Sequence, residues 1–140
     1  MANKILIMKL SIFTDGGARG NPGPAGIGVV IKDQFGQTLE SFGQYLGEQT
    51  NNVAEYSALI AGLKKAHELG ASEVTCFLDS QLVVEQMKKN WKVKEPALQK
   101  LFIQAYNASV FFKKITYKHI YREKNKEADK LVNEILDKNT

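Results

Sequence analysis

The chain has 140 residues, a formal net charge of +4 and a single cysteine, Cys76. A chain near this length buries about 68–70% of its unfolded surface, which allows one domain with a proper core. One cysteine excludes an internal disulfide and no apolar run is long enough to span a bilayer, so the sequence predicts a cytoplasmic protein with no membrane association. Residues 1–8 are predicted to be an N-terminal extension without a convincing signal peptide, and 9–140 a single domain.

The charges are unevenly distributed along the chain. Between Lys88 and Lys130 there are twelve Lys or Arg and four Asp or Glu, whereas the remainder has seven and eleven. A basic half beside an acidic half indicates a polyanionic partner held on one side. A solvated, lysine-rich surface is the alternative interpretation.

The first half of the chain predicts three strands and a helix. The strands, at 10–14, 26–32 and 39–46, are joined by short links and form an antiparallel meander. Apolar residues at helical spacing then predict an amphipathic helix over 52–69, capped by Thr50 or Asn51 and ended by Gly70.

The second half alternates strands and helices. A strand at 73–78 precedes helices at 80–89 and 96–109, and a strand at 115–121 precedes a helix at 126–137 that Asn125 can cap. The order is therefore βββαβααβα, which predicts an α/β fold with a mixed sheet covered by helices.

Four carboxylates occupy unusual places in this pattern. Asp15 and Asp79 each follow a predicted strand, while Glu55 and Asp129 fall on the apolar stripes of helices. Each has an ordinary explanation as a turn, cap or dipole residue. Together they suggest converging acids whose repulsion requires cations, and oxygen ligands without His or Cys favour Mg²⁺ or Mn²⁺. Two such ions are a common device for phosphodiester cleavage.

Four segments carry a family resemblance. They resemble, in order, the four signature blocks of type 1 ribonuclease H and lie at residues 14–23, 50–55, 78–84 and 127–129. The resemblance extends from Leu10 to the C-terminus. It implies a ribonuclease H-like fold, with a five-stranded mixed sheet of three antiparallel and two parallel strands. It also implies endonucleolytic hydrolysis of the RNA strand of RNA–DNA hybrids, leaving 5′-phosphate and 3′-hydroxyl ends.

The resemblance also implies a role for each acid, with two Mg²⁺ or Mn²⁺ ions in the site. Asp15 would bridge both ions, and Asp129 would share the ion that activates the attacking water. Glu55 and Asp79 would share the ion that stabilises the leaving 3′ oxygen.

Polar residues around these acids match substrate contacts of the family. Asn21, Asn51 and Asn52 match positions that contact 2′-hydroxyls or bases in the minor groove, which suits an amide that both donates and accepts. Thr50 matches a phosphate contact to the DNA strand, and Gly16 and Gly17 allow the backbone to approach the groove closely.

The sequence departs from many cellular members in two places. The loop 121–125 has no histidine, and we expect Arg122 to take part of the missing role, touching the scissile phosphate or the product; His67 and His119 are predicted to be ordinary. The basic link 88–95 is shorter than the protrusion of some members, and its Trp91 either packs on DNA sugars or covers the edge of the core.

The sequence leaves two other functions open. A non-catalytic nucleic-acid-binding module and another nuclease of the same fold are the alternatives, and some relatives of the short form also cut duplex RNA. With no obligate protein partner predicted, the chain is expected to be a monomer whose affinity for hybrids is modest and salt-dependent.

Overall fold

The computed structural model describes residues 8–140, so the predicted extension, apart from Met8, lies outside the described residues. Five strands form one sheet: β1 (Lys9–Ala18), β2 (Gly23–Asp33), β3 (Thr38–Gln49), β4 (Glu73–Leu78) and β5 (Lys114–His119). Four helices are α1 (Asn51–Glu68), α2 (Gln81–Met87), α3 (Pro96–Ser109) and α4 (Lys126–Asn139), with a single 3₁₀ turn at Arg122–Lys124.

The sheet is mixed, as predicted. Its order is β3-β2-β1-β4-β5, with β1, β2 and β3 antiparallel and β1, β4 and β5 parallel. The central strand β1 pairs with β2 as far as Ala18, but its pairing with β4 ends at Thr14, opposite Leu78. Beyond this point β1 continues while β4 turns away, so the sheet opens a fork there.

Side-chain alternation divides the sheet into two differently covered faces. Leu10 and Ile12 of β1 are buried in the core cluster with Leu59 and Leu63 of α1. Full burial of each such side chain contributes about 1.5–3 kcal/mol. On the opposite face α4 packs against β2, β3 and β1. The site described below lies where both layers meet the fork.

Several predicted boundaries differ from the structure. The first strand, predicted at 10–14, is longer than predicted: Asp15 to Ala18 remain in β1 because β2 pairs with them. Helix α2 ends at Met87 rather than at 89, and Lys89 adopts a left-handed conformation with φ of 64°. Strand β5 ends at His119, before the 3₁₀ turn. The predicted bounds of β4 and α3 are confirmed.

Within residues 8–140, none of the helices combines the length and hydropathy that a bilayer crossing demands.

Candidate active site

Two aspartates lie at the fork between β1 and β4. The last paired residues are Thr14 and Leu78, and Asp15 and Asp79 follow them directly. Two residues earlier on each strand, Phe13 and Phe77 stack with ring centroids 4.7 Å apart. Side chains two residues apart on a strand share a face, so Asp15 lies on the same face of β1 as Phe13, and the parallel register brings the ends of the two strands side by side.

Helix α1 brings Glu55 to the same place. Its first turn is capped by Thr50, whose Oγ1 accepts a hydrogen bond from the Val53 N–H at 3.2 Å. Glu55 Oε1 accepts a hydrogen bond from the Gly16 N–H at 2.7 Å. A Cβ on Gly16 would lie 2.2 Å from the carbonyl carbon of Ala54. Only glycine at 16 therefore lets α1 approach β1 closely enough to place Glu55 beside Asp15.

Three of the four predicted acids lie close together in the structure. Carboxylate oxygens of Asp15, Glu55 and Asp79 all lie within 4.8 Å of one another. Asp129, from the first turn of α4, lies next to Asp15 and borders the same cleft of about 540 Å³. The site is thus a tight group of three carboxylates with a fourth at its side.

The electrostatics of this group are unfavourable without cations. Burial, followed by the charges of Asp79 and Asp129, raises the pKa of Asp15 to about 8. Burial, followed by the charges of Asp15 and Asp79, also raises the pKa of Glu55. The four ion pairs among residues 8–140 involve other carboxylates. Hard oxygen ligands in this arrangement suit a divalent cation such as Mg²⁺ or Mn²⁺.

Two of the predicted substrate residues hold the rim of the cleft together. Asn51 Oδ1 accepts a hydrogen bond from the Ala18 N–H at 2.8 Å, and Asn21 Oδ1 accepts one from the Asn51 N–H at 3.0 Å. Their amide oxygens are therefore used internally, which turns the NH₂ groups into the donors available to a ligand. Asn52 and Gly17 border the cleft beside them.

Arg122 belongs to the 3₁₀ turn between β5 and α4. It is exposed, lines the cleft, and its positive charge lowers the pKa of Asp15 against the raising effects. His119, predicted to be ordinary, ends β5 with Nε2 3.2 Å from the backbone oxygen of Asp79. His67 stacks on Phe111 at the far end of α1.

Trp91 lies outside the acidic cleft. Its side chain is 46% exposed and borders a separate groove with Lys89, Lys92 and Phe102. Both roles predicted for Trp91, the contact with DNA sugars and the cover over the core edge, stay predictions.

Asn125 is a site residue that the sequence reasoning missed. It was predicted to cap α4, but its side chain makes no capping hydrogen bond; instead Nδ2 contacts Thr14 O at 2.9 Å and Asp79 Oδ2 at 3.3 Å. Asn133, one turn after Asp129, donates to Asp129 Oδ2 at 3.4 Å. Their spacing of four residues on either side of Asp129 was the available signal.

Comparisons with known proteins agree with this geometry. The family profile described as reverse transcriptase-like matches residues 13–135. A bifunctional protein of Mycobacterium tuberculosis is 50% identical over 131 residues, covering 93% of this chain but 36% of that protein. The chain thus spans about a third of the length of that relative.

Two solved structures resemble the chain over nearly their whole length. RNase H1 from the archaeon Halobacterium salinarum is 37% identical with a TM-score of 0.91, covering 93% of this chain and 98% of that one. LC11-RNase H1 in complex with an RNA/DNA hybrid is 49% identical with a TM-score of 0.88, covering 92% and 97%. The shared fold, the extent of these identities and the gathered acids lead to one assignment: the chain belongs to the type 1 ribonuclease H family.

Proposed function

We propose that this chain hydrolyses the RNA strand of RNA–DNA hybrids in a reaction that depends on divalent cations. The observation that carries the proposal is the group of Asp15, Glu55 and Asp79, whose oxygens lie within 4.8 Å of one another and form no salt bridge with any of residues 8–140. A purely structural role does not account for three adjacent carboxylates, one buried and two half-buried, because unpaired charge away from water is costly.

The residues fit two Mg²⁺ or Mn²⁺ ions held by four acids. Asp15 is central, since it groups with Glu55 and Asp79 and also interacts with Asp129. Bound ions would supply an activated water and charge stabilisation at the leaving oxygen. The raised pKa values of Asp15 and Glu55 support the assignment, since a cation would return both groups to their charged forms.

The protein's own groups then position these acids and the substrate. The Gly16 N–H fixes one oxygen of Glu55 and so orients its carboxylate toward Asp15. The exposed guanidinium of Arg122 borders the cleft and can donate to a phosphate oxygen as the bond is cleaved. We propose that Arg122 donates to the scissile phosphate in this way and also assists release of the product that carries the new 5′-phosphate.

We assign recognition of RNA to the side-chain amides at the rim of the cleft. The NH₂ groups of Asn21 and Asn51, with their oxygens held by backbone N–H groups, are preset as donors toward 2′-hydroxyls, and Asn52 lies beside them. Thr50 accepts from Val53 N through Oγ1, which leaves its hydroxyl hydrogen for a phosphate of the DNA strand. Gly16 is buried against α1, so we assign the closer approach to substrate to Gly17.

The basic link would extend this contact along the DNA strand. Lys89 and Lys92 flank Trp91 on a groove separate from the acids, and aromatic rings among lysines suit a sugar-phosphate backbone.

We further propose that the chain acts as a monomer without an obligate protein partner. We also propose that it acts in the cytoplasm, since Cys76 has no second cysteine in this sequence to pair with.

Cleavage of matched substrates tests the proposal. Labelled RNA–DNA hybrid, duplex RNA, duplex DNA and single-stranded RNA are incubated with Mg²⁺ or Mn²⁺, and the ends of the products are identified. We expect hybrid cleavage with 5′-phosphate ends, lost in Asp15→Asn but retained in Asp137→Asn, which removes an exposed carboxylate of α4. An intact hybrid with both metals would refute the proposal, and equal cleavage of duplex RNA would broaden the substrate class.

A further inference from the structure

One buried residue, Asn125, links the segments that carry three of the four acids. Asn125 lies between the 3₁₀ turn and α4 and is 2% exposed. Its Nδ2 donates to Thr14 O at 2.9 Å and to Asp79 Oδ2 at 3.3 Å. Its backbone oxygen accepts from the Asp129 N–H at 3.1 Å. Because Thr14 directly precedes Asp15, this one residue ties together β1, the end of β4 and the start of α4.

The orientation of the amide follows from its neighbours. Both atoms facing Nδ2 are acceptors, a carbonyl oxygen and a carboxylate oxygen, so the reversed amide would place an oxygen against two oxygens. Asn125 Oδ1 has no hydrogen-bond partner among the described residues. The side chain therefore satisfies its two donors at the acid group even though its acceptor is left unused.

The contact of Asn125 with the acids leaves the start of α4 without a side-chain cap. Asparagine at a helix start normally accepts from a backbone N–H of the first turn, which stabilises the helix by about 1 kcal/mol. Asn125 makes no such bond and directs its side chain to the fork instead. Asn125 therefore departs from the N-cap preference of asparagine and contacts the acids instead, a kind of departure that is common at functional sites.

An uncharged donor has a specific advantage at this position. A lysine or arginine would pair with Asp79 and compete with cations, and an aspartate would add a further charge to a group that already repels itself. An amide fixes one oxygen of Asp79 without neutralising it, and the second oxygen stays free for a cation. We propose that Asn125 is a positioning residue, which holds Asp79 and the helix of Asp129 against β1 so that the cation site is assembled before any ion binds.

The proposal rests on the proposed function only in that the acids bind cations, so its test measures binding directly. Mn²⁺ is titrated into the metal-free protein by calorimetry. Partners that orient metal ligands typically change affinity by about 10–100-fold. We expect Asn125→Ala to weaken Mn²⁺ binding by at least about tenfold. In an Asp79→Asn background, where the oriented carboxylate is absent, the same change should cost less than about threefold, because coupled residues are not additive.

Two further variants separate positioning from general loss of structure. Asn125→Ser retains a good helix-capping residue, but its side chain is too short to reach both acceptors. We expect this variant to fold normally and to bind Mn²⁺ as weakly as Asn125→Ala does. Gln86→Ala removes another buried side-chain amide, which contacts Tyr56 and Lys92 O away from the acids, and it should lower the melting temperature while keeping Mn²⁺ affinity.

Hybrid cleavage gives an independent readout. Because Asn125 does not border the acidic cleft, we expect its variants to lower kcat with KM for the hybrid unchanged within about twofold. A folded Asn125→Ser protein with unchanged Mn²⁺ affinity would overturn the proposal, as would an equal loss with and without the Asp79 carboxylate. A hybrid that survives while Mn²⁺ binding still depends on Asn125 would overturn the proposed function alone.

Discussion

Replacing Asp15 by asparagine should stabilise the metal-free protein while abolishing cleavage. In the folded state burial and the neighbouring acids raise the pKa of Asp15 from 3.8 to about 8. A carboxyl whose pKa is raised by folding does not weaken the fold while it is protonated in both states, but it destabilises the fold once the unfolded state loses its proton. The destabilisation is therefore absent below pH 3.8 and grows as the pH rises toward 8.

The size of this effect follows from the pKa difference. At about 1.4 kcal/mol per pKa unit, the raised pKa of Asp15 costs the fold about 6 kcal/mol above pH 8, and about 4 kcal/mol at pH 7, where the folded state keeps a proton that the unfolded state has lost. Repulsion between Glu55 and Asp79 persists in the variant, so only part of this cost is recovered. We expect Asp15→Asn to raise the free energy of unfolding by about 2–3 kcal/mol at pH 7, or roughly 6–12 °C in Tm.

Urea unfolding in EDTA at several pH values between 4 and 8 measures this. The wild-type protein should lose stability relative to Asp15→Asn as the pH rises, with a difference below about 1 kcal/mol at pH 4. Asp137→Asn, whose side chain is 69% exposed, should stay within about 0.5 kcal/mol of wild type throughout. Parallel curves for wild type and Asp15→Asn across the range would refute the electrostatic reasoning.

Three further predictions concern the packing of α1 on β1, the role of Arg122 and the basic link. Gly16→Ala should destabilise the fold by about 3 kcal/mol or more, because its Cβ would meet the backbone of α1; Gly17→Ala, whose Cβ would lie 3.7 Å from Val132, should melt within a few degrees of wild type, and similar melting of both variants would contradict the packing argument. Arg122→Ala should lower kcat/KM for the hybrid by about 10–100-fold, the value of a charge-assisted hydrogen bond, and unchanged turnover would remove its proposed role. Hybrid affinity measured by fluorescence anisotropy should fall at least about tenfold between 50 and 200 mM KCl, whereas a flat salt response would argue against phosphate contacts by the basic link.

Much of the fold was readable from the sequence because local and global signals agree. The periodicity that predicts α1 also produces its buried stripe, and Thr50 caps it as expected. Strand β4, bounded by Gly70 on one side and Asp79 on the other, was predicted to the residue. Pro96 begins α3 as the chemistry of proline at a helix start predicts.

The errors fall where tertiary contacts override local preferences. Asp15, Gly16 and Gly17 predict a loop by their turn chemistry, yet β2 supplies strand partners for all three and α1 requires the glycine at 16. Asn125 has the expected place at a helix start but not the expected bond, because Thr14 O and Asp79 offer its amide better acceptors. Neither contact, at separations of 111 and 46 residues, leaves a local pattern in the sequence.

The alternation of β1 couples the length of this strand to the chemistry of the site. Ile12 and Thr14 are buried on the side of the core, while Phe13 and Asp15 belong to the other face. A single inserted or deleted residue between Lys9 and Asp15 would invert this order and carry the carboxylate to the wrong side of the sheet. An exposed side chain of β1, such as that of Lys9, can therefore be exchanged, but changes in the residue count of the strand should be selected against as strongly as loss of the acid itself.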